Sequence, residues 1–317
     1  MSCFKKKITI CPILILCCLL LCSCSSDEGT PPPDKNANPD SAGTVPVRSS
    51  EPVVLVPSAD AAETLGNKSV TIDASHTQEG YIMAQYTGNN KKVKLQLTTP
   101  AGITYTYLLH SSFETFPLTG EDGTYKIKVY ENVKGDEYAQ LYAGSLDVSI
   151  TNVLGPYLYP NQYVNFDKDT RAVSVGAELA SGAVADLEVV SAVYNYIVEN
   201  IVYDDAKASD VRSDYLPVVD DILESKTGIC FDYAALMATM LRTQRIPTRL
   251  EVGYAGEIYH AWISIYIKDI GWINGIIQFD GKSWKLMDPT FAASNHSSDK
   301  VMEFIGNTDN YVTKYVY

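Results

Sequence analysis

Cysteine is nearly missing from the body of this chain. Six of the seven lie in the first 24 residues, and Cys230 alone lies beyond them. A disulfide framework is thereby excluded, and the fold must be held by a hydrophobic core. Basic residues are scarce too: 25 Lys and Arg stand against 38 Asp and Glu, a formal charge of −13. No basic patch is available to track a phosphate backbone, which argues against nucleic acid as a partner. The four histidines are scattered, and no CxxC or HExxH spacing occurs. A zinc site is therefore not indicated, although Cys230, His260 and Asp288 are all metal-ligand types. The stretch DKDTRAVS (167–174) lacks the glycine and terminal glutamate of a calcium loop. Neither metal nor cofactor is implied.

Long apolar runs are equally rare. The single one, Ile8 to Cys22, follows Lys5, Lys6 and Lys7. It is too short for a membrane span and suits the core of a signal peptide. It ends in Leu21-Cys22-Ser23-Cys24, which resembles a bacterial lipobox. By that resemblance, residues 1–23 are a leader, and the Cys24 thiol carries the lipid that anchors the chain to the extracytoplasmic face of the cell membrane. Removing three lysines and no acid leaves 22 basic against 38 acidic residues, a charge of −16. Attraction to anionic lipid is then disfavoured, so the acyl anchor is the membrane attachment. Residues 24–52, rich in Pro, Ser, Asp and Gly, read as a disordered tether.

From 53 to 155 the chain reads as an all-β, sandwich-like domain. Segments such as GYIMAQYT, KKVKLQLTT and GTYKIKVYENV alternate or are β-branched and aromatic, and they are separated by Gly-Asn-Asn, Pro-Ala-Gly and Glu-Asp-Gly turns. Tyr125, Ile127 and Val129 face one way, Lys126 and Lys128 the other, which leaves one face wet. The domain carries no chemistry of its own and reads as a spacer or binding module.

Beyond Gly155-Pro156 the periodicity changes. Val189, Ala192, Val193, Tyr196 and Ile197 form a helical stripe. A short helix around Val219–Ser225 ends at Gly228, the expected C-cap. The next helix opens at Cys230 and is apolar most of the way round, so it is central to its domain. Arg242 suits the negative end of its dipole. Antiparallel β follows: RLEVGY, IYHAWISIYI, and a hairpin at Asp280-Gly281. The fold class is α+β, in two domains divided near 155.

A thiol at the first turn of a helix is stabilised as thiolate by unpaired N–H groups and the dipole. Gly228, two residues earlier, leaves room for a substrate. His260 lies on the face of its strand opposite Ala261, Ile263, Ile265 and Ile267, so its imidazole points away from the aliphatic core face. In WKLMDPTF, Asp288 shares a face with Trp284 and Leu286, where an acid needs a partner such as an imidazole N–H. Cys230, His260 and Asp288 thus form a nucleophile–base–orienter set.

The motifs GICFDYAALMATMLR, IPTRLEVGY, HAWISIYI and WKLMDPTF, in this order, resemble the transglutaminase-like cysteine-enzyme family of bacteria. The resemblance spans residues 156–317 and implies a papain-like core with a central helix packed on an antiparallel sheet. It implies acyl transfer through a thioester on Cys230, with His260 as general base and Asp288 orienting it. The Cys230 amide and Tyr203 are the oxyanion candidates. Asp232 reads as a structural first-turn acid. Arg245 departs from the family pattern, which has glycine there.

The expected substrate is a peptide or protein at the cell surface, and the expected reaction is hydrolysis of a peptide or amide bond by a monomer. Protein cross-linking is the alternative within the same chemistry. A catalytically inactive surface lipoprotein that binds peptide or glycan is the alternative from another class. The plainest reading of Cys230 by itself is a buried core residue.

Overall fold

The computed structural model describes residues 46–274, 277–279, 284–286 and 311–317. The leader, Cys24 and most of the tether lie outside them. All of the described residues belong to one compact unit.

Its first part is the expected sandwich. The strands are β1 (Thr64–Gly66), β2 (Val70–Asp73), β3 (Tyr81–Tyr86), β4 (Val93–Thr98), β5 (Thr104–Leu108), β6 (Glu114–Pro117), β7 (Gly123–Lys134) and β8 (Glu137–Val148). They make two four-stranded antiparallel sheets, in the orders β1-β2-β3-β6 and β5-β4-β7-β8. Tyr125, Ile127 and Val129 are buried while Lys126 and Lys128 are exposed, as the alternation requires. Ile72, Ile82, Leu95 and Phe116 close the core between the sheets. β5 is an edge strand, and this position matters below.

The second part carries α1 (Arg171–Leu179), α2 (Asp186–Asn200), β9 (Val202–Tyr203), α3 (Asp205–Asp210), α4 (Val219–Ser225), β10 (Thr227–Gly228) and α5 (Cys230–Thr243). β11 (Thr248–Ala255), β12 (Ile258–Ile267), β13 (Gly271–Ile273), β14 (Ile277–Phe279), β15 (Trp284–Leu286) and β16 (Tyr311–Val316) follow. The main sheet has the order β13-β12-β11-β16, and β14 pairs with β15 in antiparallel register. α5 packs against α1, α2, α4, β11 and β12, and every residue from Asp232 to Thr243 is buried. The central helix on an antiparallel sheet is as expected. The buried face of α2 runs through Val189, Val190, Val193, Tyr194 and Ile197. Val189, Val193 and Ile197 of the expected stripe are in it, while Ala192 and Tyr196 are half-buried at its flank.

Three local expectations are revised. α4 is capped by Lys226, in the left-handed region at φ 55°, and not by Gly228. Arg242 lies in the last turn of α5 as expected, but in the core. It is 1% exposed, and its guanidinium donates to the carbonyls of Tyr159, Thr248 and Tyr317. Burial lowers its pKa to about 9, and the carbonyl dipoles compensate the charge.

The third correction concerns the end of the tether. Residues 48–52 are fastened to the second part of the chain. Arg48 donates to the Gln244 carbonyl at 2.6 Å and pairs with Asp186 at 3.0 Å. Gln244 donates to the Ser50 carbonyl, Arg245 to that of Glu51, and the Val53 amide to the Thr243 carbonyl. Polar composition read as a spacer, but its backbone carbonyls are what Gln244 and Arg245 bind. Arg245 itself sits at φ 64°. Glycine enters that region without strain, which gives the family pattern at this position a physical reason.

Candidate active site

The site begins with the first turn of α5. β10 pairs with β9 in parallel register, Gly228 opposite Tyr203, and the Asp204 amide donates to the Gly228 carbonyl. This pairing delivers the chain to Ile229, in extended conformation, and Cys230 is the first residue of the helix. The Asp232 carboxylate turns back to accept from the Ile229 amide at 2.9 Å. Gly228 is therefore small for a reason other than substrate access. A Cβ there would lie 2.8 Å from the Cβ of Asp232. The glycine makes room for the capping acid.

Cys230 is a free thiol and is half-buried, which separates it from an inert core cysteine. It faces a cavity of about 650 Å³, and His260 lines the same cavity. His260 is 4% exposed and stacks on Trp262, with ring centroids 6.1 Å apart at 23°. The expected two-faced strand is buried on both sides, since Ala261, Ile263 and Ile265 are as inaccessible as His260, Trp262 and Ser264. The next residue towards the hairpin tip, Tyr259, is 58% exposed and also lines the cavity. Its phenol is pushed up, first by burial of part of the ring, then by Tyr315, Tyr254 and the Cys230 sulfur. The sulfur, imidazole and a solvent-facing rim thus meet in one place. A cavity of this size and mixed polarity is of the kind that holds a ligand.

Residues 173–275 match the family model of the transglutaminase-like superfamily. This part of the chain is transglutaminase-like. The matched stretch contains both Cys230 and His260. No curated protein matches the chain in sequence. Among solved structures it is similar to a candidate cysteine protease from Cytophaga hutchinsonii, at 17% identity and TM-score 0.33, covering 72% of this chain and 69% of that one. It is also similar to the transglutaminase of red sea bream, at 13% identity and TM-score 0.29, covering 71% and 53%. A candidate protease from Parabacteroides distasonis aligns at 11% identity and TM-score 0.29, covering 62% and 60%. The chain thus spans about two thirds of the first of these structures and just over half of the other two.

Of the expected site residues, the transglutaminase-like core brings Cys230, His260 and Tyr203 to one cavity. Tyr203 enters through β9, with its ring 6.4 Å from that of Tyr233. Asp288 lies outside the described residues, two positions beyond the end of β15. Among the described residues no cluster of His, Cys, Asp and Glu could hold a metal ion.

Two groups of lining residues carried no signal in the sequence. Thr104 and Thr106, exposed on β5, form part of the cavity wall. The sandwich is placed there by aromatic contacts, Tyr105 edge-on to Tyr315 and Tyr317, and Tyr107 edge-on to Tyr163. The Gln162 side chain bonds both the N–H and the carbonyl of Leu108. A strand with no chemistry of its own thus becomes part of the site by docking. The second group is the wall from Ala208 to Tyr215, held by polar contacts described below.

Proposed function

We propose that the protein is a surface-anchored, cysteine-dependent enzyme that transfers acyl groups through a thioester on Cys230, with hydrolysis of a peptide or amide bond as its reaction. The observation that carries this reading is the shared cavity. A half-buried thiol at the first turn of a buried helix and a buried imidazole face the same solvent-reachable space.

In this mechanism the Cys230 thiol loses its proton to His260, and the thiolate adds to the carbonyl carbon. The Cys230 amide, at the first turn of α5, donates to the developing oxyanion, and the Tyr203 hydroxyl is the second donor. His260 returns the proton to the departing amine as the C–N bond breaks. Water then adds to the thioester with His260 taking its proton, the C–S bond breaks, and the acid leaves as the thiol is restored. Asp288 holds the His260 ring in the required tautomer. Cys24 carries the lipid anchor, and the substrate is a peptide or protein at the cell surface acted on by a monomer.

The deciding experiment incubates the full chain with a glutamine-containing peptide and a primary amine and follows peptide masses. Cleavage, or a gain of one dalton, supports hydrolysis. A gain of the amine less ammonia assigns cross-linking instead. Retention of unmodified peptide bound to the protein, with no thioester trapped on Cys230, would reject the enzyme and leave a binding lipoprotein.

A further inference from the structure

The wall of the cavity formed by residues 204–215 has an unusual attachment. α3 buries none of its side chains. Asp204 caps it by accepting from the Lys207 amide, but apolar packing does not hold it down. The segment is fastened instead to the Asp232 carboxylate, which is 0% exposed. Lys207 Nζ donates to Asp232 Oδ2 at 2.6 Å, and Tyr215 Oη donates to Asp232 Oδ1 at 2.5 Å. Lys207 Nζ also donates to Tyr215 Oη at 2.7 Å and lies 4.3 Å from the centre of that ring. The Ile229 amide, next to Cys230, completes the shell of donors around the acid.

A carboxylate this deep is tolerated because it has a counter-charge and a full set of hydrogen bonds. Remove the ammonium, and an uncompensated negative charge is left two residues from the nucleophile. Such a charge opposes thiolate formation. The same loss frees the wall that carries Ala208, Val211 and Tyr215 into the cavity.

We propose that Lys207 and Tyr215, acting through the buried Asp232 carboxylate, are positioning residues of the Cys230 site. They clamp the 204–215 wall to the first turn of α5, and Lys207 supplies the charge that keeps Asp232 from disfavouring the Cys230 thiolate. This rests on the reading of Cys230 as nucleophile. The other titratable groups facing this space are His260 and Tyr259 on β12, Tyr203 on β9, Tyr163, Tyr315 on β16 and Tyr317; Arg212 is paired with Asp214 at 2.6 Å. They are unchanged in the comparison that follows.

The test is the pH dependence of Cys230 alkylation by iodoacetamide in the full chain, with the modified site read by peptide mapping. Lys207→Met should move the alkylation midpoint upward by about one unit and slow labelling at neutral pH about tenfold. Lys207→Arg, which keeps the charge, should restore the rate to within about twofold. Tyr215→Phe should shift the midpoint in the same direction by a smaller amount. A purely structural lysine would change melting temperature and leave the midpoint alone. Profiles of Lys207→Met and Tyr215→Phe that superimpose on wild type overturn the proposal. Should Lys207→Met fail to fold, Tyr215→Phe decides by the same criterion. Normal alkylation of the wild type without any turnover would instead defeat the enzyme reading and leave this clamp standing.

Discussion

Gly253 stands directly opposite His260 in the antiparallel register of β11 and β12, and the backbone of β16 occupies the space where its side chain would be. A Cβ on Gly253 would lie 2.0 Å from the Val312 carbonyl oxygen. The ladder between β11 and β16 also shifts register between Val252 and Gly253. Gly253→Ala should therefore displace β16 and disturb the strand opposite the imidazole. The expected cost is about 1–3 kcal/mol of stability, read by denaturant melts, with loss of turnover. Wild-type stability and rate would show that β16 gives way freely.

Cys230→Ala and His260→Ala should each abolish turnover and thioester trapping while circular dichroism stays native. Asp288→Asn should slow turnover by about 10²-fold or more, with little change in melting temperature. A Cys230→Ala protein that still traps an acyl probe, with Cys24 blocked, removes Cys230 from the chemistry.

Thr106 is exposed on the sandwich yet lines the cavity. Thr106→Trp should raise KM for peptide substrates about tenfold while iodoacetamide still reaches Cys230 at the wild-type rate. The same KM in both proteins would return the sandwich to the role of spacer.

Arg245 couples two effects, its left-handed backbone and its grip on residues 49–51. Arg245→Ala loses the grip and keeps the strain. Arg245→Gly loses the grip and relieves the strain, so it should be about 1 kcal/mol the more stable of the two in urea melts. The opposite order would mean that the conformation carries no strain.

Burial pushes the Asp73 carboxyl up, but hydrogen bonds from the Ser75 side chain and amide and from the Ala61 amide, with the charge of His76, outweigh it. The folded pKa is held below the usual 3.8. The stabilisation is thus present above pH 3.8 and is lost as pH falls through the lower folded value. Asp73→Ala should cost about 1–3 kcal/mol at pH 7, and the gap to wild type should narrow below about pH 4. A gap independent of pH would assign the loss to packing.

Much of this was legible in the chain itself. The sandwich strands showed because their alternation is set locally by the pleat. α5 showed because an all-round apolar helix has to be central. What escaped was of another kind. β1 is three residues long, and β6 ends in Pro117, so neither has a periodicity to read. α1 carries an internal glycine, Gly176, which reads as a weakness. In the fold its missing Cβ would stand 3.2 Å from Met240, so the glycine is what lets α1 approach α5. Gly253 was silent for the same reason, because the β16 backbone it makes room for is distant in the chain, whereas Gly228 was read as a cap and as substrate space and makes room instead for Asp232.

The sequence by itself determined the α+β class and the residue types at the head of the helix and on the following strands, since each depends on local period and chemistry. Only the tertiary structure decided that Cys230 and His260 share a cavity, that Thr104 and Thr106 of the sandwich wall it, and that Lys207 and Tyr215 close on Asp232. Those relationships join side chains far apart along the chain, and no local pattern encodes a contact whose two halves meet only when the core packs.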